Sequence, residues 1–152
     1  MRIAVLSDTH IHSFEEIPQK IIESLSTVDL IIHAGDFTTI EVLNGLKQLG
    51  EVKAVQGNMD SDEIMNILPI KDAIELGKIK IGITHGWGSP WRIEHRVRKL
   101  FDRVDIIIYG HSHQAQNRVT DNTLFFNPGK AANSFGILTI EEDVRGEILS
   151  SR

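Results

Sequence analysis

Short aliphatic runs along the chain alternate with stretches in which apolar residues recur every third or fourth position. RIAVLS (2–7) and DLIIHAGD (29–36) are nearly unbroken apolar runs, the pattern of strands buried on both faces of a parallel sheet. Between them Ile17, Ile21, Ile22 and Leu25 keep helical spacing, with Pro18 where a first turn tolerates it. TTIEVLNGLKQLG (38–50) reads as a threonine cap, a stripe of Val42, Leu43, Leu46 and Leu49, and a stopping glycine. EVKAVQGN (51–58) predicts a third strand, Asp60–Leu68 a short helix, and KIKIGITHG (78–86) a half-buried strand. SPWRIEHRVRKLFDRVD (89–105) has the most regular helical pattern in the chain, with Ile93, Val97, Leu100 and Phe101 inside. DIIIYG (105–110) then reads as a buried strand. Four short strand patterns follow it, QNRVT, TLFFN, FGILTIEE and VRGEILS, with turn signals between them.

Parallel βαβ units followed by an antiparallel meander predict an α/β layered sandwich, two sheets with helices outside. The length of 152 residues suits one domain spanning 1–152, which buries roughly 70% of its unfolded surface. At 41% hydrophobic and 24% charged residues the composition is that of an ordinary globular protein, and no apolar run reaches the ~20 residues of a membrane span. The opening MRIAVLSDTH fits a first strand better than a signal peptide, which needs a longer apolar region. Cysteine is absent, so imidazole and carboxylate are the strong metal ligands left, and a cytoplasmic location is expected. A net charge of -5 argues against a broad nucleic-acid surface.

Polar residues gather at the strand ends. Asp8 and His10 follow the first strand, Gly35 and Asp36 the second, and Gly57 and Asn58 the third. His85 and Gly86 follow the strand through Ile83; Gly110, His111 and His113 follow the strand through Ile108. In α/β sheets ligands collect beyond the carboxyl ends of strands. Histidines one residue apart on extended backbone point the same way, which suits a metal or a phosphate; two unrelated surface histidines are the plain alternative. Five such ends on one sheet edge would be costly to bury without a cation joining them.

Taken in order, SDTH (7–10), HAGD (33–36), GNMD (57–60), THG (84–86) and GHSH (110–113) resemble the signature of the calcineurin-like metallophosphoesterases. The likeness is greatest to the small bacterial and archaeal phosphodiesterase branch and runs from Met1 to about Gly129. It implies a four-layer αββα sandwich of two packed mixed β-sheets flanked by helices. It further implies a binuclear centre in which Asp8, His10 and His113 hold one divalent ion and Asn58, His85 and His111 the other, with Asp36 bridging. The implied ion is manganese first, with nickel, iron, zinc or magnesium as alternatives. The implied reaction is phosphoester hydrolysis by a metal-bridging hydroxide, with Asp36, Asn58 and His85 acting through the metals. The implied substrate is a small phosphoester contacted by Asn58 and Lys130.

The chain departs from the pattern in places. Many members carry histidine where Met59 stands; without that group, diesters or activated esters are expected to outrun alkyl monoesters. Asp60, usually that histidine's partner, is left with the role of a helix cap. GDFTTIE replaces the extension typical of protein phosphatases, and FNPGK (126–130) has Lys130 in place of serine. His33 is expected to be buried and hydrogen-bonded near Asp36, and His12 and His95 to face solvent. Arg92, Arg96, Lys99 and Arg103 are expected to form a solvated stripe, while Trp87 and Trp91 wall the cleft or an oligomer contact. Small members of the family the chain resembles often form dimers, so the resemblance also points to a homodimer. The rival readings are a phosphomonoesterase or nucleotide phosphohydrolase, and a non-catalytic scaffold like the retromer subunit of this fold.

Overall fold

The computed structural model describes all 152 residues. The strands are β1 (Arg2–Leu6), β2 (Leu30–His33), β3 (Val52–Ala54), β4 (Lys71–Leu76), β5 (Ile79–Thr84), β6 (Ile106–Ile108), β7 (Gln116–Thr120), β8 (Thr123–Asn127), β9 (Ser134–Ile140) and β10 (Val144–Ser150). The helices are α1 (Gln19–Leu25), α2 (Ile40–Leu49), α3 (Asp62–Ile67) and α4 (Ile93–Arg98). Two five-stranded mixed sheets result, ordered β10-β9-β1-β2-β3 and β4-β5-β6-β8-β7. β1, β2 and β3 run parallel, as do β5, β6 and β8, and the other pairings are antiparallel.

The period-2 alternation of strand side chains builds the layers. On β1, Ile3 and Val5 turn inward with Leu30, Ile32, Ile81, Ile83, Ile106, Ile108, Phe126 and Leu138, filling the space between the sheets. Ala4 and Leu6 face the other way, onto Ile21 and Leu25 of α1, Leu43 and Leu46 of α2 and Ile64 of α3. On the far side Ile93, Val97 and Phe101 cover Ile107, Tyr109 and Phe125. The order is therefore helices, sheet, sheet, helix, as expected. Each fully buried isoleucine or leucine contributes roughly 1.5–3 kcal/mol of hydrophobic stabilisation, so the three apolar layers fix which way every strand end points.

Four local expectations need correction. The meander is split: β7–β8 closes the second sheet and β9–β10 the first. The polar strand ends accordingly lie on two sheets rather than one, β1 to β3 on the first and β5 and β6 on the second. β4 lacks a sequence signal because KDAIEL is an edge strand that turns only Ile74 and Leu76 toward the core. The strongest helical pattern yields only the six residues of α4. Arg92 is left-handed (φ 57°), which stops the helix at its start, and i→i+3 bonds such as Leu100 N–H to Val97 C=O (3.1 Å) tighten its end.

Candidate metal centre

The β1 loop brings Asp8 to the meeting edge of the two sheets, and its two carboxylate oxygens do different work. Oδ2 accepts hydrogen bonds from Ser7 Oγ (2.7 Å) and His111 N–H (3.1 Å). Oδ1 has no hydrogen-bond partner although Asp8 is fully buried. Three imidazole Nε2 atoms face it instead: His113 at 3.3 Å, His10 at 3.6 Å and His85 at 3.8 Å. Asp36, on the β2 loop, divides its carboxylate in the same way. Oδ1 accepts from Met59 N–H (2.8 Å), while Oδ2 faces His85 Nε2 at 3.2 Å and His10 Nε2 at 3.4 Å.

Asn58 and His111 complete the cluster. Asn58 Oδ1 lies 3.1 Å from His85 Nε2 and 3.2 Å from His111 Nδ1. The outer nitrogens of both rings are already committed, His85 Nδ1 donating to Ala34 C=O (2.7 Å) and His111 Nε2 to Gly88 C=O (2.9 Å). In the neutral imidazoles this fixes the tautomers, so three lone-pair-bearing atoms converge unless a proton or a cation joins them. All seven predicted residues are thus linked: Asp8 and Asp36 through His10 and His85, His113 through Asp8, and His111 through Asn58.

Holding them there strains the backbone. Asp8 (φ 54°), His10 (47°), Asp36 (63°), His111 (68°) and His113 (60°) all sit in the left-handed region, at a cost of about 1–3 kcal/mol each. Such strain persists only where the surroundings overdetermine it, and it concentrates at functional sites. Gly110 shows how tight those surroundings are. A β-carbon there would collide with Ser7 Oγ and lie 2.8 Å from Asp8 Oδ2.

Burial opposes charging His85, but its hydrogen bond to Asp36 and the charges of Asp8 and Asp36 outweigh burial and raise its pKa above the ordinary imidazole value. Burial likewise opposes ionising Asp36; the hydrogen bond and charge of His85, with Met59 N–H, outweigh it and hold the carboxyl below the usual range. Positive charge is wanted at this spot.

The expected supporting role of His33 is observed. It is fully buried, stacked on Phe37, and accepts from Gly35 N–H at Nδ1 (3.1 Å). Its Nε2 is therefore the protonated nitrogen and donates to Thr9 Oγ (3.3 Å), which itself donates to Asp36 C=O (3.2 Å). Burial, reinforced by the charge of His85, drives its pKa down to about 3.

Asp60 does not cap α3; Ser61 does, accepting from Ile64 N–H. Instead Asp60, only 7% exposed, accepts from Gly57 N–H (2.7 Å) and Asp36 N–H (3.0 Å) at Oδ2 and from Thr38 N–H (2.9 Å) at Oδ1. Sequence reasoning also missed Asn127, which is fully buried and ties the GHSH loop by donating to Gly110 C=O (3.2 Å) and Ser112 Oγ (3.0 Å). The FNPGK motif was its signal. Thr39 stands at the start of α2 but its hydroxyl donates to His12 C=O, not to the helix.

Arg96 is no part of a solvated stripe. Its guanidinium donates to the carbonyls of Trp87, Ser89 and Trp91, pinning the loop whose Gly88 holds His111. Trp87 lines a cleft with Asn58 and His85, whereas Trp91 is 77% exposed. His12 and His95 face solvent. Lys130 takes part only through its carbonyl, which accepts from Asn133 and Ser134 N–H, and no hydrogen bond or ion pair joins its ammonium to the cluster.

Two carboxylate–imidazole groups in this cluster have the proximity to hold an ion, Asp8–His10–His113 and Asp8–Asp36–His85. Residues 1–143 match the sequence model of the calcineurin-like phosphoesterase superfamily domain. The chain belongs to that superfamily. Among its calcineurin-like relatives, a probable metallophosphoesterase of Methanocaldococcus jannaschii is 41% identical over 133 residues, covering 85% of this chain and 67% of that one. The solved structure of a novel archaeal phosphodiesterase is 28% identical with a TM-score of 0.78, covering 98% of this chain and 100% of the other. Zinc-complexed wild-type Vps29 of Entamoeba histolytica is 27% identical with a TM-score of 0.76 over the full length of both chains. A hydrolase of phosphoesters with candidate divalent-metal ligands is the family-level assignment for this phosphoesterase, and none of its helices is long and apolar enough to cross a membrane.

Proposed function

We propose that the chain is a phosphodiesterase working with two divalent ions, Asp8, His10 and His113 holding one, Asn58, His85 and His111 the other, and Asp36 lying between them. The observation that carries this reading is the pair of buried atoms without a hydrogen-bond partner, Asp8 Oδ1 and His10 Nε2. Each faces other candidate ligand atoms, and leaving such atoms without a hydrogen bond in a buried site costs several kcal/mol in order of magnitude. Carboxylate, imidazole and carboxamide together suit a borderline-hard divalent cation, manganese first and nickel, iron, zinc or magnesium after it. Such ions, when bound, supply Lewis acidity and positive charge for attack on a phosphoester.

The protein's own residues supply orientation and shelter. Ser7 and His111 N–H hold Asp8 Oδ2 so that Oδ1 is presented inward, and Met59 N–H does the same for Asp36. Ala34 and Gly88 carbonyls keep protons on the outer ring nitrogens of His85 and His111, leaving the inner nitrogens free to ligate. Met59 is 58% exposed and offers no proton to a leaving group, which favours diesters and activated esters over alkyl monoesters.

The test is to strip the protein, reload it separately with manganese, nickel, zinc, iron and magnesium, and measure bound metal alongside turnover of bis(p-nitrophenyl) phosphate and of sugar phosphates. Two ions per chain and diester turnover at least tenfold above monoester turnover are expected, both lost in Asp36→Ala. One ion or none at saturation, or turnover unchanged in Asp36→Ala, would overturn the reading.

A further inference from the structure

A second cleft of about 210 Å³ opens beside the GHSH loop, walled by Arg92, Glu94, Tyr109, Ser112, Gln116 and Arg118 among others. Ser112 stands between His111 and His113, one residue or about 3.8 Å along the chain from each, so the cleft shares a loop with the centre. Glu94 is the post around which the wall is built. Its side chain is only 16% exposed, and it accepts from Tyr109 Oη (3.1 Å), Gln116 Nε2 (3.3 Å) and Arg118. Tyr109 is itself buried, and burial together with the Glu94 charge raises its pKa, so its hydroxyl keeps its proton as a donor.

With Glu94 committed, the charged groups left unused in the wall are guanidinium donors. The Arg92 guanidinium has no hydrogen-bond or ion-pair partner in the structure. Arg118 is fixed through one nitrogen and has further N–H groups to offer. Ser112 Oγ accepts from Asn127 Nδ2 (3.0 Å) and Gln114 N–H (3.3 Å), which leaves its own proton to donate outward. Two guanidiniums against one paired carboxylate leave local positive charge on a chain whose net charge is -5. A neighbouring cleft shares Arg92, Glu94 and Arg118 and adds His95, Arg98 and Asp121, so its three guanidiniums face two carboxylates.

We infer that this cleft binds a second phosphate, carried on one arm of the phosphodiester cut at the metal centre. The inference rests on the phosphodiesterase reading above and narrows its substrate class to diesters bearing a further phosphate on one arm. Planar guanidinium forks match phosphate oxygens in pairs, which an apolar or cationic arm cannot use.

Three probes separate the possibilities: bis(p-nitrophenyl) phosphate, thymidine 5′-(p-nitrophenyl phosphate), and the same nucleotide ester with a 3′-phosphate. With manganese-loaded protein the 3′-phosphate is expected to raise kcat/KM at least tenfold, and Arg92→Gln to erase most of that gain. Arg103→Gln removes the same charge from an exposed position lining a different cleft and leaves the gain intact. By calorimetry, thymidine 3′,5′-bisphosphate binding to metal-free protein weakens about tenfold in Arg92→Gln and not in Arg103→Gln. Equal kcat/KM with and without the 3′-phosphate, or equal losses in the two variants, would overturn the inference. If no probe is hydrolysed, the phosphodiesterase reading fails, and the calorimetric comparison alone then decides whether the cleft binds phosphate.

Discussion

Replacing Asp60 with asparagine isolates the one carboxylate that serves the centre without facing it. Asp60 receives three backbone N–H groups, from Gly57, Asp36 and Thr38, at 2.7, 3.0 and 2.9 Å. Hydrogen bonds to a charged acceptor contribute about 1.5–3 kcal/mol each. Asparagine keeps one oxygen, and its best placement turns that oxygen to Gly57 and Asp36 while its amide opposes the Thr38 N–H. One charged bond is lost and two weaken to neutral strength. The expected destabilisation is about 3–5 kcal/mol, a large share of the about 5–15 kcal/mol that holds a domain folded. Urea unfolding of the metal-free protein measures it. Because Asp36 N–H is one of the three donors, its carboxylate is expected to lose its alignment too, so manganese affinity measured by calorimetry falls at least tenfold. Asp60→Glu, which keeps the charge but overreaches by a methylene, should recover part of the stability. An Asp60→Asn protein within about 0.5 kcal/mol of the parent, or one destabilised yet binding manganese unchanged, would refute the claim that Asp60 positions Asp36.

Two further outcomes follow from the packing around the site. His33 in the folded chain titrates near 3 rather than 6.5, so its contribution to stability is fully present above pH 6.5 and is lost as pH falls from there toward 3. At about 1.36 kcal/mol per pH unit the loss is on the order of 5 kcal/mol; comparing metal-free parent and His33→Gln unfolding across that window checks it, and parallel curves would count against it. Gly110→Ala forces a methyl group against Ser7 Oγ, displacing the donor that holds Asp8 Oδ2; a loss of about 1–3 kcal/mol from overpacking is expected, with weaker manganese binding by calorimetry.

The apolar runs and helical periods revealed most of the layers: β1 is an unbroken apolar run because Ile3 and Val5 are buried on one face and Ala4 and Leu6 on the other. It failed where a tertiary contact overrode local pattern. Arg96 sits on a regular helical stripe, yet the segment before α4 is a loop because its carbonyls are satisfied by that guanidinium. β4 was hidden because an edge strand needs only two inward residues. The seven candidate ligands were legible as spaced motifs, since each motif pairs a polar side chain with a turn. Asp60 was not, for an acid before a helix pattern looks like a cap, and only the fold brings Gly57, Asp36 and Thr38 N–H to one carboxylate.

The division of labour within the carboxylates explains why so much strain is tolerated at one edge. A carboxylate free to rotate could turn either oxygen to solvent or to a neighbouring backbone amide. Asp8 is prevented from doing so because Ser7 and His111 occupy Oδ2, and Asp36 because Met59 occupies Oδ1. The His111 amide can reach Asp8 only because residue 111 is left-handed and residue 110 has no side chain. Met59 N–H reaches Asp36 from the loop that Asp60 fastens, through Gly57, to the β2 loop. The strained φ values are thus part of what delivers backbone donors to the outer oxygens. The inner oxygens and the His10, His85 and His113 Nε2 atoms are left facing one another, an arrangement that positive charge among them, as protons or a cation, stabilises.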